Sequence, residues 1–264
     1  MKTINIDGIR VQVSDHGHGH PILFVHGFPL NHTMWNAQIA AFSPAHRVIA
    51  PDLRGFGNSE ITSGTVSMDC FADDLHALLD ALDIAEPVTV CSLSMGGYIA
   101  WRFIRKYPQC LRALILCDTR AAADTPENAQ NRLSLAGRIL HDGPEPATAM
   151  LPNLVSPRTA QDRPQIIDDL RSMILSTPPE GIAAALRGMA ERPDSTELLP
   201  RIAVPVLLMA GTDDRITPPD EMRQLAELIP DAEFVEIPEA GHMAPMENPD
   251  AVNAAIKRFL DRHE

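Results

Sequence analysis

No stretch of the chain approaches the 18 or so apolar residues that a membrane-spanning helix needs. Its first residues, MKTINIDGIRVQVSD, contain neither an apolar segment nor a small-residue cleavage site. Neither a membrane span nor a secretory leader is expected. Basic residues are outnumbered, 22 Lys plus Arg against 35 Asp plus Glu, for a formal charge of −13. That balance argues against a nucleic-acid partner, because phosphate binding draws on clustered Lys and Arg. Cysteine is sparse: Cys70, Cys91, Cys110 and Cys117 show no C-x-x-C spacing and mostly sit in apolar surroundings. They read as reduced thiols, not as a disulfide framework or zinc site, and point to a cytoplasmic compartment. Aromatic residues make up only 5% of the chain, too few for a broad sugar-stacking platform. Gly17 and Gly19 precede a strand, and the third glycine of a dinucleotide fingerprint is missing, so no nucleotide cofactor site is expected. His16, His18 and His20 alternate with glycines but have no Cys or acidic companion, and read as a surface loop instead of a metal site.

What is present is a chain of 264 residues, 45% hydrophobic and 22% charged, enough for a substantial core and a soluble globular fold. Short apolar runs at 22–25, 48–50, 88–91, 111–117, 204–210 and 234–237 read as buried parallel strands. Helical patterns at 69–82, 95–107, 220–229 and 249–262 alternate with them, which predicts a doubly wound, mostly parallel sheet. Asp7-Gly8, between 3–6 and 10–14, predicts an antiparallel hairpin at one sheet edge.

The alternation stops at 121–197, where helix starts recur without a convincing strand. One helix is expected from the cap Thr125 and Pro126 to a stop at Gly143, with Leu133, Ile139 and Leu140 on its buried face. Another starts after Ser176-Thr177-Pro178-Pro179 and runs through Ala185 and Met189. The expected organisation is a core of residues 1–120 and 198–264 with a helical cap insertion at 121–197, over the carboxyl ends of the strands.

Chemistry concentrates where strands end. The apolar run at 88–91 leads into Ser92-Leu93-Ser94-Met95-Gly96-Gly97 and then an amphipathic helix. This is the pattern of a nucleophile elbow, with Ser94 as nucleophile and Ser92 in the position usually held by glycine. A serine at neutral pH needs a base, and the base needs an orienting group. Asp213 and Asp214 follow the strand at 204–210, and His242 follows the one ending at 237. The chain order Ser, Asp, His differs from that of two unrelated serine protease folds and matches an elbow-type hydrolase.

The stretches HGFP, PDLRGFGNS, SLSMGGYIA, GTDDRITPP and GHMAPMENP together resemble the α/β-hydrolase superfamily. The resemblance covers both core segments but not the insertion. It implies the α/β-hydrolase fold, no cofactor, and Asp214 in preference to Asp213 as the acid; some relatives carry that acid after the strand at 111–117, where Asp118 stands. It further implies that the backbone N–H groups of Phe28 and Met95 form an oxyanion hole and that His26 braces its loop. Trp35 and Met243 are candidates for an apolar pocket lining. Asp52 and Arg54 are read as ion-pairing turn residues, although Arg54 or Arg120 also qualifies to meet an anionic substrate.

The expected activity is hydrolysis of a small carboxylic ester or lactone, in the manner of 3-oxoadipate enol-lactonases and small carboxylesterases. Haloalkane dehalogenases and epoxide hydrolases carry a carboxylate nucleophile at the elbow, and Ser94 speaks against both. Carbon–carbon bond hydrolysis and cofactor-free perhydrolysis use the same residues, and a ligand-binding or signalling protein with slow turnover is the alternative from another class.

Overall fold

The computed structural model describes residues 1–263. Strands β1 (Lys2–Ile6) and β2 (Ile9–His16) form the expected hairpin. Its turn places Asp7 at φ 46° and Gly8 at φ 85°, the paired left-handed conformations that suit a two-residue connection. Strands β3 (Pro21–Val25), β4 (Arg47–Pro51), β5 (Val88–Leu93), β6 (Leu111–Cys117), β7 (Val206–Gly211) and β8 (Ala232–Ile237) complete the sheet. Its order is β1-β2-β4-β3-β5-β6-β7-β8, with β1, β2 and β4 joined antiparallel and all later pairs parallel.

The chain moves from β3 outward to β4 and then returns to place β5 on the other side of β3. The order therefore reverses between β3 and β5, and a crevice opens outside their carboxyl ends, where open sheets of this kind bind ligands. Every residue of β3 and β5 is buried, as befits central strands covered on both faces. Covering helices include α1 (Asn36–Phe42), α2 (Met68–Ala81), α3 (Met95–Lys106), and, beyond the insertion, α9, α10 and α11 (Pro219–Leu228, Ala244–Glu247 and Pro249–His263). Helix α2 packs against α3, and α1 against α11.

Between β6 and β7 the described chain is helical and contains no strand: α4 (Pro126–Asp142), α5 (Leu151–Leu154), α6 (Pro157–Asp162), α7 (Pro164–Ser176) and α8 (Pro179–Ala190), with two 3-10 segments. Helix α4 starts as its sequence dictates: Thr125 accepts a hydrogen bond from the Asn128 N–H, Pro126 occupies the first turn, and Gly143 closes the helix at φ 83°. The expected buried face needs correction. Ile139 and Ala136 are buried, whereas Leu133 and Leu140 are 42% and 45% exposed. At about 100° per residue, Leu140 lies roughly a quarter-turn round from Ile139, outside the narrow stripe that meets α8. Helix α8, against which α4 packs, is rich in small buried residues, Ala183, Ala184 and Ala185 among them.

Helix α8 also meets core loops backbone to backbone. A Cβ on Gly188 would lie 1.8 Å from the Val66 carbonyl oxygen, and one on Gly181 would lie 1.8 Å from that of Gly55. The Val66 N–H donates to the Ala184 carbonyl at 3.2 Å. Gly188→Ala is therefore expected to destabilise the protein by about 1–3 kcal/mol through overpacking. Gly137→Ala, in α4 with open space around the new methyl, is expected to stabilise by about 0.5–1 kcal/mol through backbone entropy. Urea denaturation of both variants measures the contrast.

Candidate active site

At the carboxyl end of β5 the chain turns into α3 through Ser94, whose φ of 53° and ψ of −112° lie far from strand or helix values. Such a conformation in a non-glycine residue costs on the order of 1–3 kcal/mol and persists only when its surroundings fix it. Here the Ser94 N–H donates to the Cys117 carbonyl at 3.0 Å, and the Thr119 hydroxyl donates to the Ser94 carbonyl at 2.7 Å. Small neighbours are obligatory: a Cβ on Gly96 would lie 2.5 Å from the Val25 carbonyl oxygen, and one on Gly97 would lie 2.3 Å from Thr119 Oγ1. Ser92, in the usual glycine position, is fully buried, and its hydroxyl has no hydrogen-bond partner.

The loop after β3 lies against this turn. A Cβ on Gly27 would meet Leu93 Cδ2 at 2.7 Å and Ser94 Cβ at 3.5 Å. His26, fully buried, holds the loop from inside: its Nε2 accepts from the Leu53 N–H at 3.0 Å, which places the ring proton on Nδ1, facing the Gly27 carbonyl at 2.9 Å. Among the described residues, neither the Phe28 nor the Met95 backbone N–H donates a hydrogen bond within the protein.

Loops after β7 and β8 are stitched together by the Thr212 N–H on the Ile237 carbonyl and the Asp213 N–H on the Ala240 carbonyl. Asp213 is exposed and Asp214 buried. Asp214 Oδ1 accepts from the Ile216 N–H at 2.7 Å and the Thr217 N–H at 3.0 Å, while Oδ2 accepts from His242 Nδ1 at 2.8 Å. With its proton held on Nδ1 by the carboxylate, the imidazole keeps Nε2 as a lone-pair base. The geometry thus joins Asp214 and His242, and leaves Asp118 behind Asp214, with its Oδ1 accepting from the Gly211 N–H at 2.8 Å.

Other expected site residues fall elsewhere. A cavity of about 370 Å³ is bordered by Phe28, Arg120, Arg132, Leu135, Arg138 and Leu186, among others. Trp35 and Met243 do not border it, nor do Ser94, Asp214 and His242: Trp35 is fully buried against Phe24, and Met243 is fully buried with its N–H on the Leu154 carbonyl. Arg54 is held by both carboxylate oxygens of Asp74, and Asp52 accepts from His32 and the Asn58 N–H, so each of the two turn residues pairs away from the other. Arg120 reaches the cavity but donates to the Ile216 carbonyl and to Glu221. His16 and His18 are exposed, and among the described residues no group of three or more His, Cys, Asp or Glu side chains is placed to hold a metal ion. All four cysteines are free. No described helix is long and apolar enough to cross a membrane.

One residue escaped the sequence reading. Glu247, 1% exposed, accepts from the Gly241 and Met243 N–H groups on either side of His242 through Oε1, and from the Ser156 N–H of the insertion through Oε2. Its only signal in the sequence is an acidic residue within GHMAPMENP, which a helix-start reading absorbs.

A family model for the alpha/beta hydrolase fold matches residues 20–249. The chain belongs to this family. It is 31% identical to 3-oxoadipate enol-lactonase 2 of Acinetobacter baylyi over 91% of this chain and 88% of that protein. It is 32% identical, over 96% of this chain and 98% of the other, to a Mycobacterium tuberculosis protein provisionally named a non-heme bromoperoxidase. A thermophilic esterase from Thermogutta terrifontis superposes with a TM-score of 0.97 at 46% identity, covering 100% of this chain and 99% of that one.

The His26 brace has a pH consequence. Burial, against a smaller opposing contribution from its bond to the Gly27 carbonyl, lowers the His26 pKa from 6.5 to about 4. A lowered folded-state value means that the unfolded chain takes up this proton first, so stability is highest above pH 6.5 and falls as the pH drops to about 4. The expected loss is on the order of 3 kcal/mol. Urea denaturation across that range checks it: the slope should be shallower in His26→Gln, by about one proton.

Proposed function

We propose that this α/β-hydrolase is a serine hydrolase acting on small carboxylic esters or lactones through a Ser94–His242–Asp214 triad. The observation that carries this reading is the Asp214-bound imidazole of His242, on loops at the carboxyl ends of the same parallel strands as the strained Ser94 turn. His242 Nε2 takes the proton from Ser94 Oγ as that oxygen attacks the substrate carbonyl, and Asp214 stabilises the imidazolium that forms. The Phe28 and Met95 N–H groups receive the negative charge of the tetrahedral intermediate, and each such donor is worth roughly 3–4 kcal/mol in comparable sites. Collapse expels the alkoxide with a proton from His242 and leaves an acyl-enzyme. Water, activated by the same imidazole, then releases the acid.

Residues 121–197 are assigned as a cap on a core of residues 1–120 and 198–264, and the cavity beside Phe28, between that cap and the core, is assigned to substrate. Similarity to a named enol-lactonase and a named esterase supports the substrate class. The bromoperoxidase name of another relative is accommodated if hydrogen peroxide replaces water at the acyl-enzyme and yields a peracid.

A fluorophosphonate probe is expected to label Ser94, located by peptide mass mapping, with parallel loss of p-nitrophenyl ester hydrolysis. Ser94→Ala should reduce kcat/KM by about 10³-fold or more while leaving the melting temperature close to that of the parent. Undiminished hydrolysis by the Ser94→Ala protein would refute the assignment. Tight ligand stabilisation without turnover would favour a binding protein instead. A peracid trap run with and without hydrogen peroxide separates perhydrolysis from simple hydrolysis.

A further inference from the structure

Asp118 has a task that neither the triad nor the oxyanion hole assigns. It follows β6, the strand between those that carry Ser94 and Asp214, and adopts a left-handed φ of 48°. Its N–H donates to the Met209 carbonyl at 2.9 Å. The side chain is completely buried. Oδ1 accepts from the N–H of Gly211, at 2.8 Å, the residue whose carbonyl in turn accepts from the Asp214 N–H at 3.1 Å, but Oδ2 has no donor among the described residues.

Two neighbouring buried carboxylates cannot both remain ionised without a cation between them. The titratable groups bearing on Asp118 are Asp214 from the β7 loop and the Cys117 thiol from β6, with His242 beyond Asp214. None of these places a positive charge at Oδ2, because the imidazole proton is already directed at Asp214. Asp214 is the better seat for the charge: it accepts from the Ile216 and Thr217 N–H groups and from His242, whereas Asp118 accepts only from Gly211. Burial first, and the nearby Asp214 next, push Asp118 well above the ordinary carboxylate range.

We infer that Asp118 is kept as a neutral carboxylic acid whose Oδ2–H donates to the Asp214 carboxylate. The orphaned oxygen is then satisfied, and Asp214 gains a fourth donor. Asp118 is a positioning residue: it fixes the orientation of Asp214 and tempers its basicity, and through it the proton affinity of His242. The inference extends the triad reading and rests on it only for its kinetic consequence.

Asp118→Asn tests both parts, because the amide keeps an oxygen for the Gly211 N–H and presents an N–H to Asp214. Infrared difference spectroscopy of parent minus Asp118→Asn at neutral pH should show the carbonyl stretch of a neutral carboxylic acid in the parent; a carboxylate pair of bands there instead would overturn the inference. In p-nitrophenyl acetate hydrolysis, Asp118→Asn should keep kcat/KM within about threefold and leave the acid limb of its pH profile in place. If Asp118 were ionised, the same change would remove a negative charge beside the His242–Asp214 pair and move the acid limb to lower pH. Asp118→Ala should lower kcat about tenfold and move that limb to higher pH, since Asp214 loses a donor and becomes more basic. Melting temperatures identify a variant that does not fold. Failure of fluorophosphonate to label Ser94 would count against the triad alone, while the infrared result would still decide the charge of Asp118.

Discussion

A backbone that passes directly from β5 into α3 at Ser94 leaves almost no volume around it, and the upper edge of the sheet is arranged to suit that shortage. Gly27 and Gly96 have no side chains because Leu93 and the Val25 carbonyl occupy the space where one would extend. The strain is held by two bonds from the neighbouring strand's end, at Cys117 and Thr119. Crowding of this kind holds Ser94 in a conformation that belongs to neither strand nor helix, which is what an elbow-type turn requires.

Rigidity then spreads outward through buried polar groups that leave little freedom of protonation or orientation. His26 ties the β3 loop to Leu53, and Asp214 is anchored by its own turn before it holds His242. Arginines near the cavity are largely committed, Arg120 to Glu221 and Arg132 to Asp124, which offsets much of their positive charge.

Much of this was legible beforehand, for identifiable reasons. Central strands are buried on both faces and stand out as unbroken apolar runs, so β6 is found at the expected residues. Edge strand β8 is longer than expected because Glu233 and Glu236 interrupt its apolar pattern, and both pair with arginines instead of facing the core. Thr125, Pro126 and Gly143 announced α4, but which leucines it buries depends on its packing against α8, and no local pattern in α4 reports its partner. Ser94, Asp214 and His242 were visible because each follows a strand. The closeness of Asp118 to the Asp214 turn was not, since it depends on β6 and β7 being neighbours and on β7 running past the partner of Cys117 as far as Gly211.

Glu247 joins two parts of the molecule that the chain order keeps far apart. One carboxylate fastens both flanks of the His242 loop and the Ser156 amide of the helical insertion. The insertion is therefore not an interchangeable module. A chimaera that exchanged it for another helical layer would strip a buried carboxylate of one of its donors, and the cost would be felt at the imidazole. Any exchange of the segment between β6 and β7 has to carry the Ser156 turn with it.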